Sequence, residues 1–178
     1  MRGGILIRKF IIGVMGGSQF VSPDDEQYAY QVGAMVAQEG WILLNGGRAS
    51  GVMEASARGA KDNGGLTIGI LPVDDAGWAS RYIDIPIVTG IGMARNIINV
   101  LSSDIIIALP GSAGTISEIA MALKYNKIAI LFRFDAGEWL RPFQKEEKVF
   151  FINEIEGLRT FIKKKLEDIS HNKKGCLW

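Results

Sequence analysis

The carboxylate best placed for acid–base chemistry is Glu118, in "ALPGSAGTISEIAMALK" (108–124). There an apolar run stops at Pro110, a turn of small residues follows, and a helical pattern begins. Thr115-Ile116-Ser117-Glu118 fits the capping box, Ser/Thr-x-x-Glu, in which hydroxyl and carboxylate each take a backbone N–H at a helix start. Thr115 is therefore expected to cap a helix over 115–126, with Glu118 reciprocating. The same carboxylate stands at the rim of a glycine-rich turn, and one oxygen can face a ligand while the other caps. Elimination strengthens the catalytic reading. His171 is the only histidine and lies in the polar tail, which removes histidine triads and histidine metal clusters. Cys176 is the only cysteine, so an intramolecular disulfide and a cysteine zinc site are excluded, and no metal or cofactor is expected. Ser112, with no histidine to activate it, reads as a phosphate-binding hydroxyl. Asp104, at the start of a strand, reads as structural.

Four turns carry the remaining candidates: "GGS" (16–18), "NGGRASG" (45–51), "GMARN" (92–96) and "PGSAGT" (110–115). Glycine lets backbone approach a ligand closely, and a helix N-terminus offers free N–H groups and partial positive charge. Together they suit an anion, above all phosphate. The expected phosphate- or nucleotide-binding residues are Gly16, Gly17, Ser18, Gly46, Gly47, Met93, Asn96, Gly111, Ser112, Ala113, Gly114 and Thr115. Arg95 is expected in the first turn of a helix over 93–103, where the helix dipole disfavours a cation. Anion binding explains it; the plain alternative is an arginine paired with a surface acid. Arg48 is a weaker candidate, equally explained as a solvated loop residue. The first turn, "GVMGGS", is not G-x-G-x-x-G, and strand two ends in Asn45 rather than an acid, so NAD binding is weakly supported. No G-x-x-x-x-G-K-[ST] is present either.

These turns need a frame, and the chain alternates short apolar runs with helical ones. Strands are expected at 9–15, 41–45, 66–72, 83–89, 104–110, 127–134 and 148–152. Helices are expected at 22–40, with Ser22 as N-cap and Gly40 as stop, at 51–64, 93–103 and 115–126, and from about Glu154 onward. The stretch 134–148 reads as a polar loop. Strands apolar on both faces and alternating with helices imply a mostly parallel sheet covered on both sides. The expected fold is α/β, a doubly wound, Rossmann-like three-layer sandwich with ligands beyond the carboxyl ends of the strands. The 178 residues read as a single domain, 1–178.

Hydrophobic content of 48%, charged content of 22% and a net charge of +1 suit a globular chain and give no sign of nucleic-acid binding. The N-terminal apolar stretch is interrupted by glycines and reads as a core strand. No run reaches the length of a membrane span. With its single cysteine, the chain is expected in a reducing cytoplasm. The helix "TISEIAMALKYN" carries Ile116, Ile119, Ala120 and Leu123 on one stripe, with Met121 and Ala122 off it. A second copy packing on helices 93–103 and 115–126 is expected, a homodimer or higher homo-oligomer; burial within one chain is the competing explanation.

"PGSAGTISE" resembles the PGGxGTxxE signature of the Lonely Guy phosphoribohydrolases, the group often labelled lysine decarboxylase-like. "GMARN" and "NGGRASGVMEAS" resemble that family's other two motifs, and the likeness runs from about Lys9 to Phe134. It is nearer still to a branch that includes molybdenum cofactor carrier proteins. Ser112 replaces the second glycine of the signature, and Asn96 replaces the lysine that follows the arginine. The resemblance implies Arg95 and Glu118 as catalytic residues. It implies cleavage of the N-glycosidic bond of a nucleoside 5′-monophosphate and a homo-oligomer with the site near its interface. In the alternative reading, the same pocket holds a nucleotide or a phosphorylated pterin such as molybdenum cofactor without turnover.

Overall fold

A computed structural model describes residues 8–173. Seven strands form one sheet, β1 (Ile11–Met15), β2 (Ile42–Asn45), β3 (Leu66–Leu71), β4 (Ile85–Val88), β5 (Ile105–Ala108), β6 (Ile128–Phe132) and β7 (Val149–Ile152). Every pairing is parallel, in the order β4-β3-β2-β1-β5-β6-β7. The helices are α1 (Asp25–Gln38), α2 (Gly51–Asp62), α3 (Asn96–Ser102), α4 (Ala113–Lys124), α5 (Arg141–Lys145) and α6 (Ile155–Lys173). The central strands are buried on both faces, as their unbroken apolar runs require. On one face Val14 and Ile107 pack with Val32 of α1, Val52 of α2 and Leu158 of α6. On the other Met15 and Ile106 pack with Val100 of α3 and Ile119 of α4. The result is the expected three-layer, Rossmann-like α/β sandwich.

The strand order reverses at β1. The chain leaves β1 toward α1 on one face and leaves β5 toward α4 on the other, although the two strands are neighbours, with Val14 opposite Ile107. Their outgoing loops therefore diverge and open a crevice at the carboxyl edge, the usual ligand position in such sheets.

Several boundaries differ from the sequence expectation. Ser22 does not cap α1. Instead the buried Asp25 carboxylate accepts from the N–H groups of Val21 and Ser22 and from the Ser22 hydroxyl, so the acid in the first turn holds the preceding loop. Gly40, at φ +73°, ends α1 as expected. The 134–148 stretch is not merely a loop: a 3₁₀ turn at Glu138–Leu140 and α5 bury Leu140 in the core. Position 171 lies within α6 rather than a tail, and Cys176 is outside the described residues.

Helices α1 and α2 pack backbone against backbone. A Cβ on Gly33 would lie 1.9 Å from the Ser56 carbonyl oxygen, and one on Gly59 would lie 2.0 Å from that of Tyr30. Neither neighbour is a side chain that can swing away. Gly33→Ala is thus expected to lower stability by about 1–3 kcal/mol, the scale of overpacking a tight core. Gly157→Ala is the control, since its added carbon would meet only Ile152 Cγ2 at 3.7 Å. Relief of backbone entropy there should leave it neutral or slightly stabilised. Urea unfolding of both variants beside wild type measures the contrast.

Candidate functional site

The loops after β1 and β5 touch at the base of the crevice before they part. Gly17 N–H donates to the Pro110 carbonyl at 3.0 Å. A Cβ on Gly111 would strike the Thr115 hydroxyl at 2.2 Å, so this position must stay bare for the turn to close. Behind the turn, α4 starts at Ala113, with Ser112 in extended conformation before it. Thr115 is thus the third residue of the helix and not its cap. Its neighbours Ser112 and Gly114 line the pocket with it, beside the first-turn amides that lack intrahelical acceptors. The N-terminus of α2 is used differently: the Val52 N–H donates to the Gly17 carbonyl at 3.0 Å.

Glu118 is not a reciprocal cap. Its Oε1 accepts from Asn99 Nδ2 at 2.8 Å, across the contact between α4 and α3. The Arg95 Nη1 lies 3.8 Å from the same oxygen, an ion pair beyond hydrogen-bond length. Both side chains are 7% exposed. Burial pushes Glu118 from the usual 4.5 up to about 7, with the Asn99 hydrogen bond and the Arg95 charge pulling the other way. Burial likewise lowers Arg95, opposed by Glu118 and reinforced by the nearby charge of Arg48. Arg95 ends a short 3₁₀ turn, Gly92–Arg95, rather than lying inside a helix, and its Nε is buried without a partner. The guanidinium lies directly over Gly46, where a Cβ would approach Nη2 to 2.4 Å.

The pocket encloses about 230 Å³. It brings together Gly16, Gly17, Ser18, Gly46, Met93, Arg95, Asn96, Ser112, Gly114, Thr115 and Glu118, all expected from the sequence. Three expected residues do not line it. Gly47 supports the turn from beneath, against Gly69 and Leu71; Gly111 packs behind Thr115; Ala113 is exposed at the start of α4. Asn96, where the family pattern has lysine, ties α3 to α4: its Nδ2 donates to the Ser117 hydroxyl at 3.1 Å, while Oδ1 is buried without a partner. Arg48, Met15 and Met53 also line the pocket, outside the principal set read from sequence. Asn99 was missed altogether. Its sequence signal is an asparagine four residues after Arg95, flanked by Ile97, Ile98, Val100 and Leu101. Among the described residues, no cluster of three or more histidine, cysteine, aspartate and glutamate side chains is arranged to hold a metal. No helix among them is long and apolar enough to cross a membrane.

The sequence model of the SLOG cluster4 family matches residues 9–164. The molybdenum cofactor binding protein of Rippkaea orientalis is 46% identical, covering 90% of this chain and 99% of its own, with a TM-score of 0.84. The molybdenum cofactor carrier protein of Chlamydomonas reinhardtii is 39% identical over the same shares, with a TM-score of 0.81. A cytokinin riboside 5′-monophosphate phosphoribohydrolase of Mycobacterium tuberculosis is 37% identical over 95 residues, about half of each chain (52% of this one and 51% of that one). The Lonely Guy-type resemblance read from "GMARN" and "PGSAGTISE" accordingly holds.

The elevated Glu118 has a thermodynamic signature. Between its ordinary 4.5 and about 7 the folded protein retains a proton that the unfolded chain has released. Wild-type stability should therefore fall as pH rises through that window. Glu118→Gln lacks the titration. The stability of the glutamine variant minus that of wild type should grow from pH 4.5 to 7 and then level off. Urea melts at a series of pH values measure it, and a difference that stays flat would contradict the raised value. Asn99→Ala, which removes the donor to the carboxylate, should extend the window to higher pH.

Proposed function

The chain belongs to the SLOG cluster4 family, and from that premise we propose that it binds a nucleoside 5′-monophosphate in the crevice pocket and hydrolyses its N-glycosidic bond. The observation that carries this reading is the buried, loosely paired Arg95 beside a carboxylate poised near neutrality. A guanidinium taken from water needs acceptors, and a ligand anion supplies them. The first-turn amides of α4 and the Thr115 hydroxyl hold the 5′-phosphate, with Gly17 and Ser18 closing over it. Glu118, in its ionised form, takes a proton from water as the water oxygen bonds to the anomeric carbon and the bond to the base breaks. The base leaves with the bonding electron pair and takes up a proton. Arg95 offsets the charge that gathers on phosphate or leaving base. A nearby carboxylate also suits the oxocarbenium character of such cleavage.

A second reading has its own support. The likeness to molybdenum cofactor binding and carrier proteins covers nine-tenths of the chain. In that reading the pocket holds a phosphorylated pterin or nucleotide without turnover. Either reading goes with a second copy of the chain beside the pocket. Ile85 and Ile87 of β4, Met93 and Leu101 are all more than two-fifths exposed, apolar surface that self-association would cover.

Incubation with a panel of nucleoside 5′-monophosphates, followed by chromatography for free base, separates the readings. The hydrolase reading expects release by wild type, and a fall of roughly 10²–10⁴-fold in Glu118→Gln, the scale of losing a general acid–base group. Equal rates in the two proteins would remove Glu118 from the chemistry. Binding without any release supports the carrier reading instead. Light scattering at micromolar concentration should give a dimer or larger; a monomer contradicts the assembly.

A further inference from the structure

We propose that Arg48 forms a second anion subsite, so that the pocket selects phosphomonoesters carrying another anionic group at the end remote from the phosphate. The inference rests on the reading that the phosphate sits at the α4 terminus. Its basis is the unequal distribution of charge across the pocket. At the β5 end the donors are backbone N–H groups and hydroxyls. At the β2 end stand two guanidiniums: Arg95 lies over Gly46, and Arg48 follows two residues later on the pocket wall. Arg48 is close enough that its charge disfavours the charged form of Arg95. Among the described residues, Glu118 is the one carboxylate that lines the pocket. It pairs with Arg95 alone, at 3.8 Å, and among the described residues no acid forms a salt bridge with Arg48. The β2 end thus holds an excess of positive charge, with a buried, unpartnered Arg95 Nε beneath it.

The backbone holds Arg48 in place. The Asn45 side chain donates to the Met53 carbonyl at 2.9 Å and accepts from the Gly47 N–H at 2.8 Å. On the outer side, the Ser80 N–H donates to the Gly47 carbonyl at 2.8 Å, and Arg48 bridges to Ala79. A turn clamped on both sides fixes where the exposed Arg48 side chain leaves the wall. Strands β5 and β2 are two positions apart, with β1 between them, so the two ends lie roughly 10 Å apart at the usual strand spacing. A bare mononucleotide places its only anion at the β5 end. A ligand with an anion at each end fills both.

Calorimetric titration at low ionic strength tests this with three probes: an N6-alkyl adenosine, the AMP with the same N6-alkyl group, and adenylosuccinate, an AMP whose N6 carries a dicarboxylate. Wild type should prefer adenylosuccinate to the N6-alkyl AMP by roughly fivefold, the upper end for an exposed ion pair, and added salt should erode the preference. Arg48→Gln should abolish that ratio and Arg48→Lys should keep most of it. Because the readout is a ratio within each protein, a general loss of affinity cancels. No preference in wild type, or a preference that survives in Arg48→Gln, overturns the subsite. The phosphate reading is checked separately by the N6-alkyl AMP against the N6-alkyl adenosine. If the N6-alkyl adenosine binds as well as the phosphate, that reading falls, and the subsite falls with it.

Discussion

Burying a guanidinium beside a carboxylate without letting the two close into a hydrogen-bonded pair leaves both charges poorly compensated. That is the state of Arg95 and Glu118, and the surrounding structure is arranged to hold them in it. Asn99, fully buried on α3, takes the Glu118 oxygen that a capping role would have turned toward the backbone. Gly46 leaves room for the guanidinium. Asn96, the first residue of α3, ties α4 through Ser117 to the segment that carries Arg95. The carboxylate consequently sits near neutrality instead of being firmly ionised, which is useful for proton transfer at physiological pH.

The fold supplies the location. Because the sheet reverses at β1, the loops after β1 and β5 separate above neighbouring strands, and the start of α4 lines the gap through Ser112, Gly114 and Thr115. The α2 terminus faces the same region but is capped by the Gly17 carbonyl. One helix end is therefore available for an anion while its neighbour serves the fold. Backbone contact between α1 and α2 through Gly33 and Gly59 keeps the opposite layer thin and rigid.

Most of this architecture was legible in the sequence, since apolar runs bounded by glycine turns fix a parallel α/β order, and those turns name the site residues. The capping box was misleading for a physical reason. A Ser/Thr-x-x-Glu pattern marks a cap only where the hydroxyl residue begins the helix, and here the helix begins earlier, at Ala113. The first-turn acid of α1 likewise took over the role assigned to Ser22, because its carboxylate collects three donors from the loop. Asn99 and Arg48 depend on contacts between α3 and α4, and between the β2 turn and the segment before β4. No local pattern encodes such long-range neighbours. Asn45, read only as the absence of an acid, proved to be the clamp of its own turn.

The central claim is that the crevice pocket is a phosphate site facing the Arg95–Glu118 pair. A crystal structure of the protein with AMP tests it most directly. The phosphate oxygens should lie within hydrogen-bond distance of the amides of residues 112–115, with the anomeric carbon of the ribose turned toward Glu118. AMP bound outside the crevice, or seated in it with the phosphate in solvent and those amides untouched, would contradict the account.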